Sequence, residues 1–448
     1  MHDNSDSRMS SAVAYFNFYL PSRVIVFGAM AIFLLWFFAP IDYVVFESWQ
    51  PYAILALYSL IFYASMYLFC GLRRGRVVRC EINVPVYRRL VNFIFMIGFI
   101  GLTIRIVDRV FMRAGGQISL DFMANRQVFA AEGGGILALL GGVLSSFLLF
   151  LPAFIAASRM AGEKRLRHWL MLLFCCVYAL FDMLLQGSRS GVVIFVSVVM
   201  LSLLVTRYVR VRPFSALCIF GLAVVTVWAA GMLFWIRTTQ MGLDPIASMS
   251  ISGYAKFAAA SPGLIDYLGK EGVEGMGGLV YAFTHLSQYM THGVYEFFYI
   301  TESVEEPATY GMLSFYIPVK IWFVSIGGGG LEVLLQDAQL RPGVYTTLFG
   351  PLYYDFGLYG GLVACAFFGA VVGRVSRNLM NGNFAFLPMY LLFVTFVAYF
   401  PVVNLFVSGT GQYSIFSACL LWLSIRLFYR RALSSTSART VQLENRIL

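Results

Sequence analysis

Residues 88–113 read RRLVNFIFMIGFIGLTIRIVDRVFMR, and this stretch decides the fold class. About 20 apolar residues cross a hydrocarbon core, so the run near 90–108 is a membrane span. Arg88 and Arg89 stand at its start, where the bias of basic residues toward the cytoplasm sets the direction of the helix. At the far end Arg105, Arg109 and Arg113 recur every four residues, which places three guanidinium groups on one side of a helix. A soluble helix scatters its charges. This one concentrates them at the end where the topology rule expects few.

Working outward, further apolar stretches of spanning length lie near 23–43, 53–72, 137–158, 169–186, 190–206 and 214–236, then near 351–373, 384–405 and 411–429. The first follows a polar tail of about 20 residues without a small-residue cleavage pattern, and reads as a retained signal anchor. Basic residues follow every second span: Arg73, Arg74, Arg76, Arg79, Arg88 and Arg89, then Arg159, Lys164, Arg165 and Arg167, then Arg207, Arg210 and Arg212, then Arg374 and Arg377, then Arg426 and the C-terminal arginines. Both termini are expected in the cytoplasm. The expected architecture is an all-α, polytopic membrane bundle forming one domain over 1–448. The connection 237–350 is its large outer region, within which 281–300 and 312–328 are apolar enough for one more hairpin. The span number is 10 or 12 accordingly. A composition of 60% hydrophobic and 12% charged residues, with 42 Phe, excludes a soluble enzyme. The seven cysteines show neither ligand spacing nor a disulfide pattern.

Ten basic residues remain on or near the outside: Arg105, Arg109, Arg113, Arg126, Arg189, Arg237, Lys256, Lys270, Lys320 and Arg341. A stripe of arginines suits a diphosphate, because the guanidinium fork matches phosphate geometry. The competing account is that Asp108 pairs with one of them while the others reach lipid headgroups. In the turn Gln186-Gly187-Ser188-Arg189-Ser190-Gly191, a guanidinium, hydroxyls and backbone groups can meet an anion, or Arg189 simply anchors a tight hairpin. Arg237, beside Thr238, Thr239 and Gln240, has the same two readings.

The outer connection holds His285, Gln288, Tyr289, His292 and Glu296, of which 285, 289, 292 and 296 fall near one helical face. His292 can take a proton from a sugar hydroxyl with Glu296 orienting its ring, and His285 is the alternative. Two histidines and one carboxylate are weak evidence for a metal, and structural hydrogen bonding is the stronger account. From Arg341 to Gly357 the sequence mixes turn formers, hydroxyls and rings. Tyr345, Tyr353, Tyr354 and Asp355, like Tyr289, suit sugar binding, and an aromatic interface belt is the competing reading. With ten Asp and Glu against five Lys and Arg, 237–350 carries a formal charge of −5 and is no nucleic-acid surface.

On the segment Gln186–Gly191, the outer loop with His292 and Glu296, and the run from Thr346-Thr347-Leu348-Phe349-Gly350 to Asp355-Phe356-Gly357, the chain resembles bacterial oligosaccharide repeat-unit polymerases of the Wzy type. These act in O-antigen, capsule or exopolysaccharide synthesis. The resemblance implies an architecture related to membrane GT-C-type glycosyltransferases, in the inner membrane with the active site facing the periplasm. It implies transfer of a growing glycan from undecaprenyl diphosphate to an incoming lipid-linked unit, with no cofactor, metal or nucleotide sugar. His292 and Glu296 would be catalytic, and Arg105, Arg109, Arg189, Arg237 and Arg341 would hold the diphosphate. Implied partners are membrane lipids, undecaprenyl-diphosphate-linked oligosaccharides, a chain-length regulator and a flippase. An O-antigen ligase, which delivers the glycan to lipid A-core, and a polysaccharide transporter or flippase are the alternatives.

Overall fold

An apolar surrounding offers no water to backbone N–H and C=O groups, so a chain that crosses it must close its hydrogen bonds internally. The computed structural model describes residues 11–435 apart from 19–20, 72–75, 118–124, 126–127, 130–134, 161, 163–164, 187–188, 209–220, 222–227, 229–230, 233, 237, 241, 273–275, 305, 327–330, 342–343 and 430–431. Five stretches are helical, long and apolar enough to cross a membrane. They are α1 (Pro21–Phe38), α2 (Gln50–Cys70), α3 (Val84–Arg113), Ile136–Met160 and Phe349–Met380. The fourth divides into α4 (Ile136–Ser145), a tight turn and α5 (Leu151–Met160). Next come α6 (Leu166–Gln186), α7 (Arg189–Val205), α8 (Pro245–Ile251) and α9 (Pro262–Glu271). The chain continues with α10 (Met276–Ser303), α11 (Tyr316–Ser325), α12 (Leu331–Asp337), α13 (Phe349–Met380), α14 (Leu387–Ala398) and α15 (Gly409–Phe428). The protein is therefore a multi-pass membrane helical bundle. The expected span near 214–236 lies mostly outside the described residues, as do Arg126 and Arg237.

Two small sheets join the bundle, and the reading of an all-helical chain did not include them. In β1 (Ser11–Phe18) and β3 (Arg76–Asn83) every second side chain is buried: Ala14, Phe16 and Phe18 on one strand, Val78, Cys80 and Ile82 on the other. They pair antiparallel, and β5 (Leu433–Ser435) adds to the far edge of β3. The N-terminal strand, the loop after α2 and the C-terminal strand thus share one end of the bundle. β2 (Ile41–Tyr43) pairs with β4 (Ala258–Ala260). Since α1 leads away from β1 to β2 and α2 leads back to β3, this second sheet marks the opposite end. α3 starts at the three-stranded sheet, and a rise of 1.5 Å per residue carries Arg105 about 30 Å from it.

α2 and α13 pack backbone to backbone. Gly361, Cys365, Gly369 and Gly373 repeat every four residues along one side of α13. A Cβ on Gly369 would clash with the Phe62 carbonyl oxygen, and one on Gly373 with that of Met66. Small residues let two backbones approach this far. Ser65 Oγ donates across the contact to the Ala366 carbonyl at 2.6 Å. Tyr359, Val363 and Phe367 point outward from the other side of the helix, 81%, 71% and 59% exposed. The small stripe packs against protein, and the large apolar stripe meets lipid.

α13 is broken at Gly357, whose φ of 62° and ψ of −165° leave the helical region. The Tyr354 carbonyl, which the break releases, accepts from Ala308 N and Thr309 N at 2.8 and 3.2 Å, and Tyr58 Oη donates to the carbonyls of Gly357 and Leu358 at 2.8 and 3.0 Å. Before α13, the coil at 344–348 meets a second non-helical segment between α14 and α15. Leu348 N donates to Phe400 O at 2.7 Å, and Asn404 Nδ2 donates to Leu348 O at 2.6 Å. Leu348 and Asn404 are both buried. Irregular backbone inside a membrane bundle is tolerated where protein groups satisfy it, as they do here.

Gly369→Ala tests the α2–α13 contact. Overpacking at a backbone contact costs about 1–3 kcal/mol, so the purified chain in detergent is expected to unfold at a lower temperature by tryptophan fluorescence. Val363→Ala, on the lipid-facing side, is expected to leave that temperature unchanged. Equal behaviour of the two variants would show that the close approach is not needed.

Candidate functional site

Arg105, Arg109 and Arg113 do converge. With Asp108 they line a cavity of about 190 Å³ whose remaining walls are Ala138 of α4, Lys320 of α11 and Tyr413 of α15. Three guanidinium groups and an ammonium group face one carboxylate among the described lining residues. The Arg113 end of α3 is two-sided: Ile106, Val107, Phe111 and Met112 are exposed, while Asp108 is buried and the arginines line the cavity.

The local backbone explains how. From Val107 to Arg113 the helix widens into a π-helix, with Ala114 N donating to Arg109 O five residues back at 3.0 Å. Residues five apart diverge by about 140° on an α-helix, but the wider turn brings them to the same side. Asp108 Oδ2 and Arg113 Nη2 accordingly meet at 2.8 Å, both largely shielded. Arg113 also donates to the Phe129 carbonyl at 2.8 Å. It is thereby committed to structure, as the headgroup-anchoring account expected of one member of the stripe. Arg105 and Arg109 share the wall with Lys320. Gly141 of α4 lies against the backbone of Arg105, where a Cβ would come within 3.1 Å of the Arg105 Cα, so α4 supports the cavity from behind.

Arg105 also borders a smaller cavity of about 70 Å³, with Leu148, Leu149, Ile194, Phe195 and Ser414 among its walls. Its long contact to Ser145 Oγ, 3.5 Å, lies on that side. A cationic recess and an apolar one therefore adjoin at a single guanidinium.

The residues read as catalytic form a separate cluster. On α10, Gln288, His292 and Glu296 are buried in sequence, and His292 has no exposed surface. Gln288 Nε2 donates to the carbonyls of Met249 and Ala258 at 2.7 and 2.8 Å, fastening α8 and β4 to α10. His292 Nδ1 lies 3.0 Å from the Gln288 carbonyl. A carbonyl only accepts, so this contact favours the tautomer with the proton on Nδ1 and the lone pair on Nε2. That Nε2 is buried without a hydrogen-bond partner among the described residues. The rings of Tyr254 and Tyr289 stand 4.3 and 5.8 Å from the imidazole.

Glu296 does not orient His292. Its Oε1 accepts from Arg341 Nη1, while Arg341 Nη2 donates to the Gly253 carbonyl. Backbone groups hold the imidazole instead, those of Gln288 and Tyr289 on its own helix and that of Tyr345 in the coil before α13. Arg341 is thus placed with the carboxylate of α10 and away from the lining of the arginine cavity. Lys256 lies nearby, its ammonium 3.9 Å from the Tyr299 ring centroid.

The residues read as sugar binders divide. Tyr289 and Tyr345 pack edge to face at 5.9 Å beside His292. Tyr353 Oη donates to Val304 O, and Tyr354 Oη accepts from Leu340 N at 3.1 Å. Asp355 is buried and takes three donors: Thr309 Oγ1 and Leu313 N on Oδ1, Ser314 N on Oδ2. These three residues hold the outer segments together. Arg189 opens α7, and the description of that helix does not extend to its side chain; Gly187, Ser188 and Arg237 lie outside the described residues. Lys320 and Tyr413 were not singled out as site residues, and the five-residue spacing of Asp108 and Arg113 is the sequence signal that an α-helical reading passes over.

Removing one member of a buried ion pair costs about 3–5 kcal/mol because the other charge is stranded. Arg341→Met is therefore expected to lower the unfolding temperature sharply, and Arg341→Met/Glu296→Leu to recover a large part of the loss. If Arg341→Met matches the native chain, the pair does not hold the outer segments to α10. Comparison with protein-family models, with curated proteins and with solved structures finds no match for this chain.

Proposed function

We propose that this chain is a bacterial membrane glycosyltransferase of the Wzy type, which polymerises lipid-diphosphate-linked oligosaccharides on the outer side of the inner membrane. The observation that carries this reading is the arginine cavity at the end of α3. The cationic excess among its described lining residues suits a diphosphate, and the cavity stands at the end of the bundle opposite the sheet that gathers β1, β3 and β5. The basic residues of the loops at that sheet end favour a cytoplasmic position for it, and this supports a cavity that opens to the periplasm.

In the proposed reaction the acceptor hydroxyl of an incoming lipid-linked unit attacks the anomeric carbon of the donor glycan. The new C–O bond forms as the anomeric bond to the diphosphate oxygen breaks, and the bonding pair leaves with undecaprenyl diphosphate. Arg105 and Arg109 stabilise the charge that develops there. The hydroxyl proton passes to His292 Nε2, whose lone pair the Nδ1 contact to Gln288 favours. Because the imidazole is sealed, the segments carrying Tyr254 and Tyr345 must part to admit the acceptor. A chain-length regulator and a flippase are the partners this reading supplies.

Single-turnover transfer between defined lipid-linked units, with the full chain in vesicles, is the test. Loss of a preorganised charge-stabilising donor costs about 100-fold in rate, so Arg105→Ala and Arg109→Ala are each expected to slow extension on that scale while the chain stays folded. His292→Ala is expected to abolish it, and native transfer by a folded His292→Ala would remove that base. Product identity decides the class: extended lipid-linked glycan supports the polymerase, glycan on added lipid A-core means a ligase, and movement of intact units without extension means a transporter.

A further inference from the structure

The fourth cation of the cavity comes from a part of the chain that no helical spacing connects with the arginines. Lys320 sits on α11, a helix of ten residues. Isolated helices shorter than about 12 residues are marginal, so what fixes α11 is the stretch that leads into and includes its first turn, residues 309–317. Asp355 holds the front of that stretch, accepting from Thr309 Oγ1 at 2.6 Å, Leu313 N at 3.1 Å and Ser314 N at 2.7 Å. Gln412 holds its end: Oε1 accepts from Ile317 N at 2.7 Å, and Nε2 donates to Ser314 O at 3.2 Å and to Leu313 O at 3.4 Å. Ile317 N belongs to the first turn of α11, where a helix has N–H groups without an internal partner. Both side chains are buried.

One turn further along α11, Lys320 Nζ donates to Tyr316 Oη at 3.2 Å and lines the cavity. On α15, Tyr413 lines the same cavity, one residue beyond Gln412. A single turn of α15 thus grips the base of α11 and forms part of the wall that Lys320 faces. Among the described residues, α3 and α4 carry the arginine side of the cavity and α11 the lysine side.

We propose that Lys320 binds the same phosphate-bearing anion as Arg105 and Arg109, and that Gln412 and Asp355 are positioning residues that fix its reach. This rests on the anion-binding reading of the cavity. A lysine placed this way meets phosphate as a point charge opposite the arginine forks, so the two sides of the cavity contribute different chemistry to one ligand.

The test uses the full chain in detergent, inorganic diphosphate and an amine-acylating reagent, with modification of each lysine followed by mass spectrometry. Diphosphate is expected to slow acylation of Lys320 by about tenfold, the scale of one charge-assisted contact. Lys270, exposed and paired with Asp266, is expected to react unchanged and serves as the internal reference. In a folded Gln412→Leu variant the protection of Lys320 is expected to fall to about twofold or less. Thr309→Val, which removes a single bond to Asp355, reads the same way if Gln412→Leu does not fold: reduced protection supports the proposal and full protection overturns it. Full protection in folded Gln412→Leu would end the positioning role and leave the anion site standing. Absence of protection in the native chain would overturn the anion site itself.

Discussion

Backbone satisfaction away from water is the constraint on which this bundle depends. An unbroken helix meets it alone, but this chain breaks its backbone inside the protein at Gly357, in the coil before α13 and between α14 and α15. Each break releases groups that would each cost several kcal/mol if left unpaired in an apolar medium. A few polar groups meet that demand: the Ala308 and Thr309 N–H groups at Tyr354, Asn404 at Leu348, Asp355 and Gln412 at the turn before α11. Burial makes the three side chains effective, since no water competes for the same donors and acceptors. The α2–α13 contact adds Tyr58, which bonds α13 beside the break where glycines let the two backbones close up.

Continuous helices would present only what their own faces carry. Breaking them brings residues from distant parts of the chain to one place. The π-helical end of α3 is a mild form of the same device, since widening the turn pairs Asp108 with Arg113 and leaves Arg105 and Arg109 on the cavity wall. The coil ahead of α13 is a stronger form, carrying the buried Thr347 and Leu348 beside Gly293 of α10. Rigid support and irregular backbone are complementary here: glycine-lined contacts hold the helices, and the breaks place polar groups between them.

How much of this was legible in the sequence follows from the range of each signal. Hydropathy is local and additive along a helix, so spans such as Gln50–Cys70 and Val84–Arg113 could be read from composition alone. The convergence of Arg105, Arg109 and Arg113 was equally local, a matter of spacing on one helix. Strands β1 and β3 also carried a period of two, but they lie in short segments read as a tail and a basic loop. The small-residue stripe from Gly361 to Gly373 was present at helical spacing, although its partner helix was not identifiable from one sequence. Long-range pairings were beyond reach. Nothing near Asp355 shows that it caps a turn some 40 residues earlier, where Thr309, Leu313 and Ser314 meet it. Nor does anything near Glu296 announce Arg341. The candidate roles of Glu296 and Asp355 came from residue type and position in an outer segment, and both side chains are occupied by partners that only the fold supplies.

Charge matching separates the two polar clusters more sharply than residue type does. Around His292, the Arg341 guanidinium is matched by Glu296 and by the Gly253 carbonyl, so an anion entering there would have to displace a buried pair and strand its carboxylate. In the cavity at the end of α3, one carboxylate faces four cations among the described lining residues, and that carboxylate is already joined to Arg113. Bringing like charges together in a partly shielded recess is unfavourable unless an opposite charge joins them. On the proposed reading such a recess takes up an anion, whereas the Arg341 cluster would have to give up a buried pair to do so. The arginine that was grouped with the stripe by residue type, Arg341, belongs to the framework that closes over His292.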